Sequence, residues 1–372
     1  MVVLQVLPAL TSGGVERGTV EMAEAITRAG GTALVASAGG PMVGAVERAG
    51  GRHVTLRLAT RDPLNIWLNA GRLARLVRAT GVEIIHARSR APAWSALLAA
   101  RRTGTAFVTT YHGAYHDALP FKRRYNAVMA RGDRVIAISR FIAERVAALH
   151  GVGPDRLRLI PRGVDPVGFD PAAVSGARID RLARGWRLPD GMRVVLLPGR
   201  LSRWKGQSVL LRAVAALDRP DLCCVLVGGG RAREAKRLEA EAEALGLGGR
   251  LRIAGRCDDM PAALMIADVV VHASTEPEAF GRVVIEAQAM GRPTIAADLG
   301  GPRETVVPGE TGWLVPPGDP AALAAAIAEA LDLPDDMRWH LGARARAAVL
   351  AQYTTRAMQD ATLAVYRELL AR

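Results

Sequence analysis

Aromatic residues make up only 4% of this 372-residue chain, and it holds three cysteines. The basic clusters of the first half carry few aromatics, so the stacking surface of a single-stranded nucleic-acid binder is missing and no nucleic-acid partner is expected. Cys223, Cys224 and Cys257 follow no disulfide or metal spacing; the first two lie inside an apolar run, LCCVLV, and read as core residues in a reducing compartment. No D-x-D, H-E-x-x-H or Cys/His cluster occurs, so no bound metal and no cofactor is expected. Neither the dinucleotide fingerprint G-x-G-x-x-G nor a P-loop is present. Ser139 and Ser274 lack a nucleophile elbow, which removes support for a hydrolase triad. No run of about 18 apolar residues is long enough to span a bilayer. The start, MVVLQVLPALTSGG, lacks a basic lead and a cleavage site and reads as a strand, so a cytoplasmic location is expected.

Acidic residues are short in one half only. Residues 1–165 carry 23 Lys+Arg against 11 Asp+Glu, and residues 166–372 carry 26 against 25. Nearly all of the +13 net charge therefore sits in the first half, which points to an anionic partner or a membrane surface. Local basic clusters are Arg88 and Arg90 in HARSRAP, and Lys122, Arg123 and Arg124.

What the chain does have is alternation. β-branched apolar runs predict strands over 2–7, 32–37, 54–58, 82–86, 106–111, 134–138 and 157–160, with amphipathic helices over 15–29, 42–49, 64–79, 92–102 and 140–150 between them. Residues 161–171 (PRGVDPVGFDP) break the pattern and read as a linker. After a short helix over 179–186, strands recur over 193–197, 222–227, 251–254, 269–273, 294–297 and 313–315, and the tail from 320 reads as helical to the end. The fold class is α/β: two doubly wound, Rossmann-like parallel-sheet domains, 1–165 and 166–354, with a ligand cleft between them at the strands' carboxyl ends.

The residues that can carry chemistry lie at those strand ends. Residues 276–293 (EPEAFGRVVIEAQAMGRP) leave a buried strand, turn through Phe280 and Gly281, and enter a helix over 283–290. Glu278 and Glu286 stand eight positions apart across that helix start, where free amides favour an anion. Such a pair can grip two parts of an elongated ligand, read as a nucleotide-sugar, or act as a glycosidase acid and nucleophile. GRLSRWKG (199–206) places Arg200 and Lys205, with Arg203 as a competitor, where a diphosphate can be met. His112, in TYHG, ends another strand; it can contact a sugar hydroxyl or serve as a structural histidine, and His86 and His116 are weaker candidates. Gly13–Gly14 and Gly228–Gly230 are phosphate turns or plain tight turns. Residues 298–304 (DLGGPRE) add two glycines and a carboxylate to the same rim.

With these segments in hand, the chain resembles the family-four retaining glycosyltransferases of GT-B fold, the glycosyl transferases group 1, which include lipopolysaccharide-core enzymes. GGVER, AISRF, LIPRGVD, GRLSRWKG, the E-x7-E signature in 276–293, DLGGPRE and GETGWLVPPGDP carry the resemblance through nearly the whole chain. It implies that Gly13 and Gly14 lie beside the donor phosphates and His112 beside the donor sugar. It further implies that Arg200 and Lys205 bind the diphosphate, that Glu278 faces the sugar hydroxyls, that the Phe280 and Gly281 amides cap the phosphate, and that Glu286 holds the ribose. The last helix, 355–372, would cross back to the first domain. Arg162 departs from the family pattern, which more often has Asn there, and puts the linker contacts in question.

The function expected is therefore a metal-independent, retaining hexosyltransferase. It would use a UDP-, GDP- or ADP-linked sugar, bound by the second domain, and a hydroxyl of a glycan or lipid acceptor, bound by the basic first domain. Lipopolysaccharide-core, polysaccharide or glycolipid synthesis at the inner face of the cytoplasmic membrane is the setting this implies. Arg88, Arg90 and Lys122–Arg124 are the acceptor or membrane candidates. A nucleotide-sugar epimerase or a sugar phosphorylase on the same fold is the enzyme rival, and a basic nucleic-acid binder the rival of another class.

Overall fold

The structure is a computed structural model that describes residues 1–11, 13–115 and 119–371. The chain divides into two compact units: Met1–Arg162 with Thr355–Arg372, and Gly163–Thr354.

Unit 1 is built on seven parallel strands: β1 (Val2–Val6), β2 (Thr32–Ser37), β3 (Arg52–Thr55), β4 (Ile84–Ala87), β5 (Ala106–Tyr111), β6 (Arg134–Ala137) and β7 (Leu157–Leu159). Their order is β3-β2-β1-β4-β5-β6-β7, so the winding reverses between β1 and β4. The helices are α1 (Gly14–Arg28), α2 (Val43–Arg48), α3 (Pro63–Thr80), α4 (Arg90–Thr103), α5 (Pro120–Asn126) and α6 (Arg140–His150). Near-continuous burial of β1, β2 and β4–β6 is what a sheet covered on both faces requires. Local chemistry sets the helix starts: Asp62 accepts from the Asn65 amide ahead of α3, and Ser139 from the Ile142 amide ahead of α6.

Two expectations shift. The third strand lies at Arg52–Thr55 rather than 54–58, because its partner β2 ends at Ser37, paired with Thr55, and leaves no strand for residues 57–58 to extend against. The short helix α5 was not legible in its seven mostly polar residues.

Unit 2 has six parallel strands: β8 (Arg193–Pro198), β9 (Leu222–Val227), β10 (Leu251–Gly255), β11 (Val269–His272), β12 (Thr294–Ala297) and β13 (Trp313–Val315). The order is β10-β9-β8-β11-β12-β13, and the reversal falls between β8 and β11. Around it stand α7 (Gly176–Gly185), α8 (Gln207–Ala216), α9 (Ala232–Ala244), α10 (Met260–Ile266), α11 (Arg282–Ala289), α12 (Pro320–Asp332) and α13 (Asp335–Gln352). Cys224 packs in the core of this unit beside Val195 and Leu226.

The helical tail is made of three helices, α12, α13 and a last one. Pro334 ends the run after α12, and a break at Tyr353–Thr354 precedes α14 (Thr355–Leu370), which belongs to unit 1. Met358, Leu363 and Tyr366 of α14 are buried with Val3, Met22 and Ile84. Each large side chain so buried contributes about 1.5–3 kcal/mol. Polar contacts tie the same helix down: Glu368 pairs with Arg134 and, at 2.8 Å, with Arg158, and Arg28 donates to Gln359 at 2.7 Å.

Candidate functional site

In each unit the strand order reverses at one place, and in open α/β sheets ligands bind outside the carboxyl ends of the strands flanking that reversal. In unit 2 those strands are β8 and β11. The loop after β8 is GRLSRWKG and the loop after β11 carries Glu278.

The first loop turns through a 3-10 segment, Arg203–Lys205, into Gly206, whose φ of +74° starts α8. A Cβ there would stand 1.8 Å from the Ala273 carbonyl oxygen, so only glycine lets this turn meet the end of β11. The Thr275 amide donates to the Trp204 carbonyl at 2.8 Å and fastens the two loops. Lys205 is thereby aimed across to Glu278, and they form an ion pair with both side chains 14% exposed. The Glu278 oxygen that receives Lys205, Oε1, also accepts from His272 Nε2 at 2.7 Å and from Ser274 Oγ. Burial alone would raise the Glu278 carboxyl. The adjoining His272 and Lys205 outweigh that and hold it far below the usual carboxylate range. Oε1 is saturated, while Oε2 makes no hydrogen bond among the described residues. Oε2 is the oxygen left for a ligand hydroxyl.

The backbone around Glu278 is held by glycines. Gly301 donates to the Glu278 carbonyl at 2.8 Å, and a Cβ on Gly300 would stand 2.5 Å from that same oxygen. DLGGPRE is therefore the floor under Glu278. Gly281 caps α11 at φ +78° against the ring of Pro302, and Phe280 is buried edge-on to Tyr353. The positive end of α11 opens at this point. Glu286, one turn into α11, is 7% exposed and lies 3.5 Å from Arg282. Arg200 is exposed, and its guanidinium has no partner among the described residues; Arg203 is exposed on the next turn. Gly228 and Gly230 serve close backbone approach, since a Cβ at Gly228 would lie 2.0 Å from the Gly199 carbonyl oxygen.

In unit 1 the reversal lies between β1 and β4. Gly13, at φ 140°, and Gly14 start α1 after β1. Arg162 lies across that turn: it donates to the Gly14 carbonyl at 2.9 Å and pairs with Glu21 at 3.4 Å. A Cβ on Gly18 would meet its guanidinium at 2.1 Å. The residue that departs from the family pattern thus has its own buttressing role in α1.

Arg88, just past β4, is 2% exposed, and its Nε and Nη2 are buried without a hydrogen-bond partner. Burial removes it from the membrane-surface candidates, since a side chain inside the unit cannot meet a bilayer. His112, just past β5, has its Nε2 buried and unpartnered. Burial first, then the Arg88 and Arg162 charges, hold this imidazole well below its ordinary range and keep it neutral. His86 is structural: it is clamped between Tyr366 Oη at 2.6 Å and Thr110 Oγ1 at 2.7 Å. His116 falls outside the described residues. Arg90 is engaged with Asn126 Oδ1 at 2.8 Å and over the Tyr115 ring, whereas Lys122, Arg123 and Arg124 are exposed on α5.

The sequence reading missed His272 and Arg282, and it weighed Ser274 only as a nucleophile. One signal was available for the first: a histidine closing the run VVVH, two residues before Ser274 and so on the same side of the strand. Among the described residues no cluster of His, Cys, Asp and Glu could hold a metal ion, and no helix is long and apolar enough to cross a membrane.

Comparison with known proteins agrees with this architecture. The sequence profile described as "Glycosyl transferases group 1" matches residues 179–348, and that described as "Glycosyltransferase Family 4" matches residues 12–167. A curated relative, D-inositol 3-phosphate glycosyltransferase 1 of Catenulispora acidiphila, is 32% identical over 70% of this chain and 67% of its own length. The matching enzyme of Acidothermus cellulolyticus is 35% identical over 55% of this chain and 47% of its own. Such matches therefore span about half to two thirds of the relatives' length. A crystal structure of a glycosyltransferase from Rickettsia africae superposes with a TM-score of 0.91 at 34% identity, covering 99% of this chain and 98% of that one. Anabaena HepE in complex with UDP superposes with a TM-score of 0.85 at 25% identity, covering 99% and 100%. The two matched profiles and the two Rossmann-like units they cover make this chain a member of glycosyltransferase family 4, the glycosyl transferases group 1, with the GT-B fold.

Proposed function

We propose that the protein transfers a sugar from a nucleotide diphosphate sugar to an acceptor hydroxyl, with retention of configuration and without a metal. The observation that carries this reading is the Glu278 carboxylate. Three donors fix it through one oxygen beside a helix start, and its second oxygen stays open to a sugar hydroxyl. Arg200, Lys205 and the Phe280 and Gly281 amides take the diphosphate, and Glu286 takes the ribose. On unit 1, the Gly13–Gly14 turn serves the donor phosphates and the neutral His112 the donor sugar. The bond from the anomeric carbon to the phosphate oxygen breaks, the acceptor oxygen bonds to the same face of that carbon, and the acceptor proton passes to the leaving phosphate. The bound UDP of Anabaena HepE supports a UDP-linked donor.

The acceptor belongs to unit 1. The names of the curated relatives favour a phosphorylated polyol acceptor, of which D-inositol 3-phosphate is the instance they give, over a lipopolysaccharide core. Arg88, with Arg90 nearby, suits an anionic acceptor of either kind, since its buried Nε and Nη2 lack a hydrogen-bond partner. A cytoplasmic enzyme working at the inner membrane face fits the basic first half. The test is thermal shift and transfer with UDP-, GDP- and ADP-linked sugars, using inositol phosphate and glycolipid acceptors. Binding of none of the three donor classes would overturn the reading, and release of a sugar phosphate from an oligosaccharide would make the protein a phosphorylase.

A further inference from the structure

Unit 1 carries a surface that the proposed chemistry leaves unused. Helix α3 buries Leu73, Ala74 and Val77, and its outer side begins with Leu64, Trp67 and Leu68 before turning to Arg72, Arg75 and Arg78. Leu64 is 64% and Trp67 58% exposed. Helix α5 repeats the composition in seven residues: Phe121, 67% exposed, is followed by Lys122, Arg123 and Arg124. Arg61, just ahead of α3, lies 5.5 Å from the centre of the Tyr125 ring on α5, so the start of α3 and the Tyr125 end of α5 are close together. Helices α3, α4 and α5 hold three Lys or Arg each and no Asp or Glu. Asp62, beside this surface, is occupied in capping α3.

Large aliphatic and aromatic side chains held out in water are costly unless something covers them. On the two helices that carry them, every charged residue is a cation. A nucleic acid would use the cations but gain nothing from Leu64 and Leu68. A lipid headgroup layer uses both: the apolar tips enter the headgroup–acyl boundary while Arg and Lys meet phosphate.

The geometry points to this face, the outer sides of α3 and α5, as a docking surface for an anionic bilayer. It rests on the reading of unit 1 as the acceptor side, and it would hold that side against a membrane surface. Lipid binding is read apart from catalysis, so failure of one does not entail failure of the other. The purified full chain is floated with neutral phosphatidylcholine vesicles and with vesicles containing about one third phosphatidylglycerol. Two variants accompany it: Leu64→Ser, Trp67→Ser and Phe121→Ser combined, and Lys122→Glu with Arg124→Glu. Circular dichroism and the thermal shift with UDP report whether each is folded. The native chain is expected to co-float with anionic vesicles, and each folded variant to lose binding by more than about tenfold. No flotation of the native chain, equal flotation with neutral lipid, or unchanged flotation of the folded variants overturns the proposal. So does a native dimer that the apolar variant converts to monomer without loss of flotation, which makes the face a contact between copies.

Discussion

Lys205 and Glu278 lie 73 residues apart in the chain and form an ion pair at the ends of the two strands, β8 and β11, between which the sheet of unit 2 reverses. The pairing changes what each residue is prepared to do. Lys205 is not a free point charge: it steadies a carboxylate before any phosphate arrives. Glu278 is no floating acid, because Lys205, His272 and Ser274 leave it a single open oxygen. A preoriented carboxylate costs little reorganisation when a ligand arrives.

Replacing Glu278 by Gln keeps an oxygen for the three donors and removes the charge. Transfer is expected to fall by about a hundredfold or more. The thermal shift produced by UDP should stay close to the native one. Initial rates and the shift, measured on one preparation, check this; full transfer activity removes Glu278 from its assigned role.

Lys205→Met takes away one of the two groups that oppose burial at Glu278. The carboxyl then titrates at higher pH, and the acid limb of the pH–rate profile moves upward. Donor affinity drops with it, by about tenfold to a hundredfold, if Lys205 also reaches the diphosphate. An unmoved acid limb with weakened donor binding would assign Lys205 to the phosphate alone.

Two glycines with nearly the same backbone separate sterics from strain. Gly206 and Gly246 have φ of 74° and 73°, but a Cβ meets the Ala273 oxygen at 1.8 Å in the first and nothing within 4 Å in the second. Gly246→Ala should cost about 1 kcal/mol, the left-handed backbone alone. Gly206→Ala should cost more than about 3 kcal/mol, because backbone must move. Urea unfolding of both variants measures the difference, and equal losses would mean that the loop after β8 yields freely.

His86 and His112 are held well below the ordinary histidine range by burial, assisted by the Arg88 charge. Below pH 6.5 the unfolded chain therefore binds protons that the folded one refuses, and stability falls as pH falls. The slope approaches about 1.4 kcal/mol per pH unit for each such histidine. Melting between pH 8 and about pH 5 reads it, and His86→Gln should flatten part of the slope. Glu368, drawn down to about 2 by Arg134 and Arg158, acts in a lower window: its contribution is present above its unfolded value of 4.5 and is lost as pH falls toward 2.

Most of the strands were legible because burial on both faces writes itself as β-branched runs, and LCCVLV and AFVTTY stand where those runs predict. The site was legible as a set of strand ends. Less legible were partners. Nothing in GRLSRWKG says that Lys205 meets Glu278, and nothing near Arg162 says that it fills the space Gly18 leaves. Arg88 read as a surface cation because charge is visible in sequence and burial of a single arginine is not.

By itself the sequence determined the α/β alternation, the glycine-marked turns after β1, β8, β9 and β12, and the residue types those turns carry, since hydrophobic period and turn chemistry act over a few neighbours. Tertiary structure decided which strands lie side by side, that the reversals fall at β1/β4 and β8/β11, that His272 and Ser274 join Lys205 on one oxygen of Glu278, and that α14 returns to the first sheet. Those outcomes depend on how segments tens to hundreds of residues apart bury surface against each other, a competition that no local pattern records.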